Sequence, residues 1–317
     1  MRFLARRLSM LIGSLLVASF VIFGALYLAP GSVLATLSGG RALPAASVAV
    51  LNQRYHLNAP FFAQYWYWLD NAVHGDLGIS ITLRENVSTL IGNRIWTTAG
   101  LVLYASLIIF VLGIGLGVLA GLRPGKLDTS ALVTTAVTAA VPAFVAAIVL
   151  LLVFSVKLGW FPALATGTSG ASFLTEVKDF TLPAVALALS SLAIVARVTR
   201  AAIREEADRE HVQTAVSRGI PHRQVIQRHI LRNAAIPITT VFAITVASLI
   251  AVSAVVETAF SLNGVGAYLV QAAQSKDIAV VQGISLVLVT AFVVVNLLAD
   301  LMYAVLDPRV KLGAKAS

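Results

Sequence analysis

The residue types that most often carry chemistry are sparse in this sequence, and their spacing matches none of the common reactions. The five histidines, His56, His74, His211, His222 and His229, have no metal-ligand spacing, and neither an HExxH motif nor a serine in a G-x-S-x-G elbow occurs. The absence of cysteine excludes disulfides, thiolate zinc sites and cysteine nucleophiles. The sequence also lacks G-x-x-x-x-G-K-[ST], so it cannot hold a nucleotide by a P-loop. We therefore predict no catalytic residue, no cofactor and no metal site.

A few polar residues lie in or beside long apolar runs, where the chemistry of transport could take place. Glu257 ends one run, and Asn296 and Asp300 lie one helical turn apart near the end of another. A charge at bilayer depth is costly, so each is a candidate for a functional role, with a structural pair or cap as the alternative. Further candidates for the pathway or its gate are Thr134, Thr138, Pro142 and Ser248. The threonines could instead satisfy carbonyls that the proline ring leaves free.

The elements that carry these residues are six apolar runs, each near the length of a membrane-spanning helix. A bilayer core of about 30 Å requires roughly 20 apolar residues in a helix. Hydrophobic residues make up 58% of the 317 residues, charged residues make up 12%, and the mean hydropathy is +0.89. These values are typical of a polytopic membrane protein. We predict an all-α fold with six transmembrane helices, near 8–28, 98–122, 132–156, 180–195, 236–256 and 278–305.

The basic residues predict the orientation of these helices. A net charge of +9 and a pI near 10.2 would suggest nucleic acid for a soluble protein, but here most Lys and Arg residues flank the apolar runs. With a cytosolic N-terminus, 16 of the 23 Lys and Arg residues lie on the inner side. The excess of basic residues on the cytosolic side predicts that both termini are cytosolic.

A stretch of more than 60 residues, 29–96, separates the first two runs and is predicted to lie outside. Within it, residues 60–69 (PFFAQYWYWL) cluster Trp and Tyr in the manner of an interfacial helix. We interpret this run as an anchor packed on the bundle, with an aromatic ligand-binding box as the alternative. Gly75 and Gly78 indicate a turn, and residues 85–96 are expected to form a helix that leads into the second run.

Glycine spacing in the second run predicts a close contact between helices. Gly113, Gly117 and Gly121 recur every four residues and share one face, where another backbone can approach. The partner helix is left open between this chain and another subunit. We divide the chain into a first helix with its outer loop (1–97), a five-helix core (98–310) with an inner loop at 197–235, and a tail (311–317).

The polar segment, residues 197–237, lies between the fourth and fifth runs and is rich in arginine. Arg197, Arg200 and Arg204 follow one another at spacings of three and four, so the fourth helix is expected to continue beyond its apolar run with a basic face. The positive-inside rule, by which Lys and Arg stay on the cytosolic side, would by itself account for the number of arginines in this segment.

The same segment carries a pattern of helix, glycine and second helix that the positive-inside rule does not require. Val212, Ala215 and Val216 form a small apolar stripe at helical spacing, and Gly219 suits a left-handed end to that helix. Pro221 then suits the first position of a new helix. The apolar residues of this second helix oppose its arginines: Val225, Ile226 and Ile230 against Arg228 and Arg232. We predict two short amphipathic helices that hinge at Gly219.

Residues 210–219 (EHVQTAVSRG) and 232–237 (RNAAIP) resemble the cytosolic loop of permease subunits of ABC importers, and more closely that of the dipeptide, oligopeptide and nickel branch. Weaker fragments in the same order and spacing extend the resemblance over nearly the whole chain. They are 54–57 (RYHL), 75–78 (GDLG), 123–125 (RPG) with Asp128, 142–144 (PAF), 159–162 (GWFP), 257–260 (ETAF), 264–266 (GVG), 300–303 (DLMY) and 307–309 (DPR).

The resemblance implies the type I ABC importer permease fold and a coupling helix that ends before Gly219 and docks in a groove of an ATPase subunit. It assigns this coupling loop to Glu210, Gln213, Thr214, Ala215, Arg218, Gly219 and Pro221. The chain departs from the wider family at Gln213 and Thr214, which stand where that family has Glu and Ala. It departs from its own branch at Asn263, where a proline is common.

The partners that the resemblance implies are a homologous second permease subunit, two ATP-binding subunits, an extracytoplasmic solute-binding protein and the lipid bilayer, with no nucleic acid. The chain, similar to the first of the two permeases, would lie in the bacterial plasma (inner) membrane and leave ATP hydrolysis to its partners. Peptides are the substrate that the branch implies, and nickel or another delivered solute stays open.

Two other classes of function are compatible with single features of the sequence. An ion-coupled secondary transporter would use Glu257, Asn296 and Asp300, although the two halves show no inverted repeat. A scaffold membrane protein would form stable complexes without moving a substrate.

Overall fold

The structure is a computed structural model that describes residues 2–28, 44–54, 56–162 and 173–306. Helices form most of these residues, and the single β pairing within the described ranges is the isolated bridge between Ile79 and Asn86. The all-α prediction is therefore confirmed. The predicted tail, 311–317, lies outside the described residues.

The helices are numbered here in chain order. They are α1 (Arg2–Leu28), α2 (Ala45–Arg54), α3 (Phe61–Val73), α4 (Val87–Leu122), α5 (Lys126–Ala139), α6 (Ala143–Lys157), α7 (Phe173–Ala207), α8 (Glu210–Ser217), α9 (His222–Ala259), α10 (Val265–Gln274) and α11 (Ile278–Leu306). A π-helical segment interrupts α4 at Ile109–Ile114 and α9 at Val225–Leu231, and another forms the end of α6 at Leu151–Lys157.

Five helices are long and apolar enough to cross a membrane: α1, α4, α7, α9 and α11. The third predicted run forms α5 and α6, which meet at an angle of 96° and count as one broken span or as a re-entrant loop. Proline has no N–H to continue a helix, and Pro142 stands with an extended ψ of 147° immediately before α6. The chain therefore bends at Pro142, and the described spans number five, or six with the bent pair.

The fourth run is longer than the sequence indicated. It was predicted at 180–195, and α7 instead runs for 35 residues through Pro183 and through Arg200 and Arg204. These bounds were wrong because an apolar window detects only the part of a helix that would lie in hydrocarbon. The predicted continuation into the basic residues is confirmed.

The chain forms two compact units, and the first comprises Met1–Ala99 with Asn263–Val294. Here the aromatic run predicted as an anchor is α3, which packs against α1. The Tyr65 hydroxyl lies 2.9 Å from the Ser19 Oγ atom, and the Tyr65 ring meets Phe20 and Phe23 edge-on. These contacts show that α3 packs on α1, as the anchor interpretation expects.

A second cluster of the first unit joins the start of α4 to α10 and the start of α11 around Val87, Val265 and Ile284. Asp277 is only 2% exposed and stabilises the turn before α4. It accepts hydrogen bonds from the Ser80 hydroxyl (2.6 Å) and the Thr82 backbone N–H (3.0 Å). The predicted turn has Gly75 and Gly78 at positive φ, and the helix expected from residue 85 begins at Val87.

An aromatic and cationic contact lies beside this turn. The Arg94 guanidinium stacks 4.3 Å from the centre of the Tyr268 ring. Burial raises the pKa of the Tyr268 phenol, against the opposing effect of a hydrogen bond with Ser80. The phenol therefore stays neutral at physiological pH.

The second unit comprises Gly100–Leu262 with Val295–Ser317, and α7 is its central helix. The glycine seam (Gly113, Gly117 and Gly121 of α4) faces α7 of the same chain. A Cβ atom added at Gly117 would lie 2.5 Å from the Thr199 Cβ and 2.6 Å from the Ala196 carbonyl oxygen. One added at Gly121 would lie 2.7 Å from the Ile203 Cβ. The two backbones are thus in direct contact, which only glycine permits.

An ion cluster that the sequence had not paired joins α5 to α7. The Asp128 carboxylate binds the Arg200 guanidinium through both of its oxygens, with one N–O distance of 2.7 Å, and the Arg204 guanidinium at 2.8 Å. Arg200 and Arg204 are one turn apart, so both reach one carboxylate. Two arginines of the predicted basic face are therefore paired with a carboxylate of the same chain.

The glycine seam predicts a position-specific cost of adding one methyl group. In Gly117→Ala the new Cβ meets a backbone oxygen that cannot rotate away, so we expect a loss of about 1–3 kcal/mol of stability. Gly115→Ala is the matched control, since its Cβ would have no heavy atom within 4 Å. Thermal unfolding of the purified chain in detergent measures both. Equal melting temperatures for the two variants would contradict the seam.

The ion cluster predicts that Asp128→Asn lowers the melting temperature by several degrees. The asparagine leaves two arginines facing each other with only a neutral acceptor between them. Asp70→Asn is the control, because Asp70 pairs with His74 on the surface, where both side chains are 74% exposed. A shift of equal size in the control would show that Asp128 has no special role.

Candidate functional site

The polar segment contains three elements: the end of α7, the short helix α8, and the first turns of α9. Its turn between α8 and α9 has the geometry of a Schellman motif. The Ile220 N–H donates to the Ala215 carbonyl at 3.2 Å, and the Gly219 N–H donates to the Val216 carbonyl at 2.9 Å. Gly219 has a φ of +75°, a value that favours glycine. The predicted left-handed end of this helix is confirmed.

The second helix of the segment starts one residue later than predicted, and the prediction that it is short was wrong. It is the beginning of α9, which continues for 38 residues into the next apolar run, because neither a glycine nor a proline interrupts the sequence between Pro221 and that run. Pro221 is the residue before the first helical turn of α9, with φ −55° and ψ 135°, and it accepts a hydrogen bond from the Val225 N–H at 3.1 Å. A proline cannot continue α8, so Gly219 and Pro221 together separate the two helices.

A small hydrophobic core lies under the segment. It consists of Ile203 of α7, Val212 and Ala215 of α8, and Val225, Ile230, Ala234 and Ile238 of α9. Ile220, at the end of the Schellman motif, packs against it. The predicted amphipathic pattern is confirmed for α9, where Arg228 and Arg232 are exposed and Val225 and Ile230 are buried.

Val216 is where the predicted apolar stripe is wrong. Its side chain is 56% exposed, whereas Val212 and Ala215 are buried. Around the helix Val216 lies about 40° from Val212 and about 100° from Ala215, so it falls beyond the edge of the face that Val212 and Ala215 share.

The residues proposed for coupling therefore divide into one buried and several exposed positions. Ala215 packs into the core, whereas the side chains or backbone of the others face outward. These exposed residues are Glu210, Gln213, Thr214, Arg218, Gly219 and Pro221. With Val216 they form the outer face of α8 and its turn.

Glu206, a buried carboxylate at the end of α7, is not among the residues predicted from the sequence. Its side chain contacts Arg209 of the connector between α7 and α8 (residues 208–209), His211 of α8 and Asn233 of α9. A signal existed in the sequence, because Glu206 and Arg209 are three residues apart and could pair on a helix. The contact with Asn233, 27 residues away, has no local signature.

The candidates for the translocation pathway lie on three helices. Thr138 donates a hydrogen bond to the Thr134 carbonyl at 2.9 Å, just before the bend at Pro142, and Ser248 donates to the Thr245 carbonyl at 2.7 Å. Such bonds to preceding carbonyls are the structural use of these hydroxyls. On α9, Glu257 is fully buried. Asn296 and Asp300 are partly buried on α11. Their part in a pathway stays a prediction.

Among the described residues, no group of three or more His, Asp or Glu side chains is placed to hold a metal ion. What the polar segment does present is a surface of one short helix, fixed at both ends and exposed along one face. That arrangement is suited to contact with another protein.

Comparison with protein families covers nearly the whole chain. A family described as the binding-protein-dependent transport system inner membrane component matches residues 113–312, and the family that describes the N-terminal part of such membrane components matches residues 1–102.

Curated relatives match over almost their full length. A putative peptide transport system permease protein of Brucella abortus is 35% identical, with 96% of this chain and 98% of that protein covered. The di/tripeptide transport system permease protein DppB of Pseudomonas aeruginosa is 32% identical, with 98% of each chain covered. The oligopeptide transport system permease protein AppB of Bacillus subtilis is 33% identical, with 98% of this chain and 99% of that protein covered.

A solved structure shares the fold at low sequence identity. The inward-facing MetNI methionine ABC transporter contains a chain that superposes with a TM-score of 0.55 at 18% identity, covering 69% of this chain and 96% of that one. The comparisons give no support to an ion-coupled transporter. On the strength of the family matches and the full-length relatives, this chain belongs to the family of inner membrane components of binding-protein-dependent transport systems.

Proposed function

We propose that the chain is a permease subunit of an ATP-driven ABC importer and that its cargo is di- or oligopeptides delivered by a solute-binding protein. The names of the relatives support the peptide cargo, since they include a di/tripeptide and an oligopeptide permease. The family match supports the delivery by a binding protein. The single observation that carries the proposal is the outer face of α8, which ends in the Schellman motif at Gly219.

The energy source must come from another chain in this proposal. The sequence has no P-loop, so ATP would be hydrolysed by two partner ATPases rather than by this subunit. A homologous second permease completes the membrane part. The excess of Lys and Arg beside α1, α5, α8 and α9 supports a bacterial inner-membrane protein with both termini and the polar segment in the cytosol. In this arrangement residues 98–310 form the permease core.

The mechanism follows from how α8 is attached. When ATP binding closes the ATPase dimer, a groove on each ATPase would carry α8 with it. The core around Val212 and Ala215 connects α8 to Ile203 of α7 and to Ala234 of α9. A packed core moves as a body because it resists deformation. The movement would thus reach α7, and through the glycine seam α4, and would switch the permease between inward and outward access.

The pathway itself would be lined by residues from α5, α9 and α11. We propose Thr134, Thr138, Pro142, Ser248, Glu257, Asn296 and Asp300 as candidates for the pathway or its gate. The bend of 96° between α5 and α6 supports this choice for the first three, because broken helices at membrane depth commonly border binding sites or cavities.

The docking role of α8 is tested by Val216→Asp. A carboxylate on the exposed face would place an unpaired charge in the contact with the ATPase, so we expect ATP-driven uptake to fall at least about tenfold, with normal insertion. Val73→Asp is the matched control: it makes the same change at a valine that is 77% exposed on α3. Uptake and ATPase activity are measured for the complex in proteoliposomes. Unchanged uptake in Val216→Asp would sink the proposed role of α8.

Gly219 gives a second test that separates backbone strain from surface charge. A Cβ at Gly219 meets nothing within 4 Å, so its φ of +75° is the obstacle to another residue. We expect Gly219→Asn to retain most uptake, because Asn tolerates the left-handed region, and Gly219→Val to lose most of it. If both variants transport equally well, the Schellman turn does not set the position of α8.

The cargo is tested separately from the coupling. The complex with its own binding protein is assayed for ATP-dependent uptake of labelled dipeptides, pentapeptides and nickel. The proposal expects saturable uptake of at least one peptide class and none of free nickel. Uptake of nickel alone would overturn the peptide assignment and leave the permease role standing.

A further inference from the structure

We propose that Glu206 is a positioning residue that seats α8, so that a single buried carboxylate fixes the orientation of the docking face. This inference rests on the proposed coupling role of α8 and adds a residue outside the docking surface itself. It starts from an unusual burial: Glu206 lies at the polar end of α7 and is only 5% exposed. A buried carboxylate is costly unless several donors satisfy it.

Three donors from three successive parts of the segment meet this carboxylate. The Arg209 Nε atom of the connector lies 3.1 Å from the Glu206 Oε2 atom. On the other oxygen, the Asn233 amide of α9 donates at 2.9 Å, and the His211 Nε2 atom of α8 lies at 3.3 Å. Glu206 therefore joins α7, the connector, the first turn of α8 and α9 at one point.

The direction of each hydrogen bond can be assigned from donor capacity. The Asn233 amide has two hydrogens, and it donates one to Glu206 and one to the His229 carbonyl at 2.9 Å. A carboxylate only accepts, so a hydrogen bond between His211 and Glu206 requires the proton to be on the Nε2 atom of His211. The bond to His229 lies within α9 and orients the Asn233 amide toward Glu206.

The contacts of Glu206 matter because α8 cannot hold its own position. It has eight residues, and isolated helices of that length are not stable in water. Its buried side chains, Val212 and Ala215, are small and offer little shape to fix the rotation of the helix. The polar contacts at its first turn and the Schellman motif at its last turn supply the two fixed ends. Loss of Glu206 releases the first of these ends.

The matched control for this inference is the neighbouring carboxylate. Glu205 is one residue away on α7, but its side chain is 74% exposed, and it contacts Arg209 at 3.2 Å across one turn. Surface pairs of this kind contribute little to stability. Glu206→Ala and Glu205→Ala therefore remove the same group from adjacent positions. Only the first is expected to release α8.

The experiment uses the absence of native cysteine, which gives single-cysteine labelling no background. In the full-length chain in detergent, Val212→Cys reports the buried face of α8 and Gln213→Cys reports its exposed face. We expect Glu206→Ala to raise the rate of maleimide labelling at position 212 by about tenfold or more, because local opening exposes the site. Position 213 should change less than about twofold, and Glu205→Ala should change neither position.

A transposed pair distinguishes a specific hydrogen bond from simple packing. Glu206→Gln combined with Asn233→Asp reverses the donor and acceptor and places the carboxylate beside His211, whose Nε2 atom lies 3.4 Å from the Asn233 amide nitrogen. The double variant should label at position 212 more slowly than either single variant. Labelling that is unchanged by Glu206→Ala, or a double variant that is no better than the single ones, overturns the inference.

The same variants in the complex separate this inference from the proposed function. If Glu206 seats α8 and α8 couples transport to ATP, then Glu206→Ala lowers uptake per ATP hydrolysed at least about fivefold, with Glu205→Ala unchanged. Faster labelling at position 212 with normal uptake would support the positioning role of Glu206 and contradict the coupling role of α8. Normal labelling in Glu206→Ala, together with loss of uptake in Val216→Asp, would contradict the positioning role of Glu206 and support the coupling role of α8.

Discussion

The close approach of α4 and α7 along the glycine seam is the contact on which the second unit depends. Because the three glycines carry no side chain, α4 lies directly against the backbone and the side-chain bases of α7 over about two helical turns, from Gly113 to Gly121. Between helices in a membrane, such packing substitutes for the hydrophobic driving force that water would supply. It fixes α7, and α7 in turn carries the residues that hold α5 and α8: Arg200, Arg204, Ile203 and Glu206.

Buried carboxylates organise the parts of the chain that are not simple spans. Asp277 fastens a turn in the first unit, Asp128 binds two arginines, and Glu206 gathers donors from the connector, α8 and α9. Each accepts from groups on other elements, which is the condition for burying a negative charge at acceptable cost. Since one carboxylate can accept several hydrogen bonds, a single residue can set the position of a short element that has little core of its own.

The outer face of α8 follows from this arrangement. Val212 and Ala215 of its inner face are buried in the core, the contacts of Glu206 hold its first turn, and the turn at Gly219 ends it. Val216 and its polar neighbours therefore face outward. A rigidly presented helix face is what the proposed transmission of ATPase movement requires, because a loosely held helix would absorb the movement. The small core links that face to α7 and α9, which are long enough to span a membrane.

Much of this could be predicted from the sequence because the signals are local. Apolar length gave the spans, spacing of four placed Gly113, Gly117 and Gly121 on one face, and Gly219 with Pro221 marked the break between α8 and α9. What the sequence could not supply were the partners of each group. Only the tertiary structure directs the glycines to α7, pairs Asp128 with arginines more than 70 residues away, buries Glu206 beside Asn233 and turns Val216 outward. The physical reason is that periodicity determines which residues share a face, whereas the neighbour of that face is decided by packing between elements that are distant in the chain.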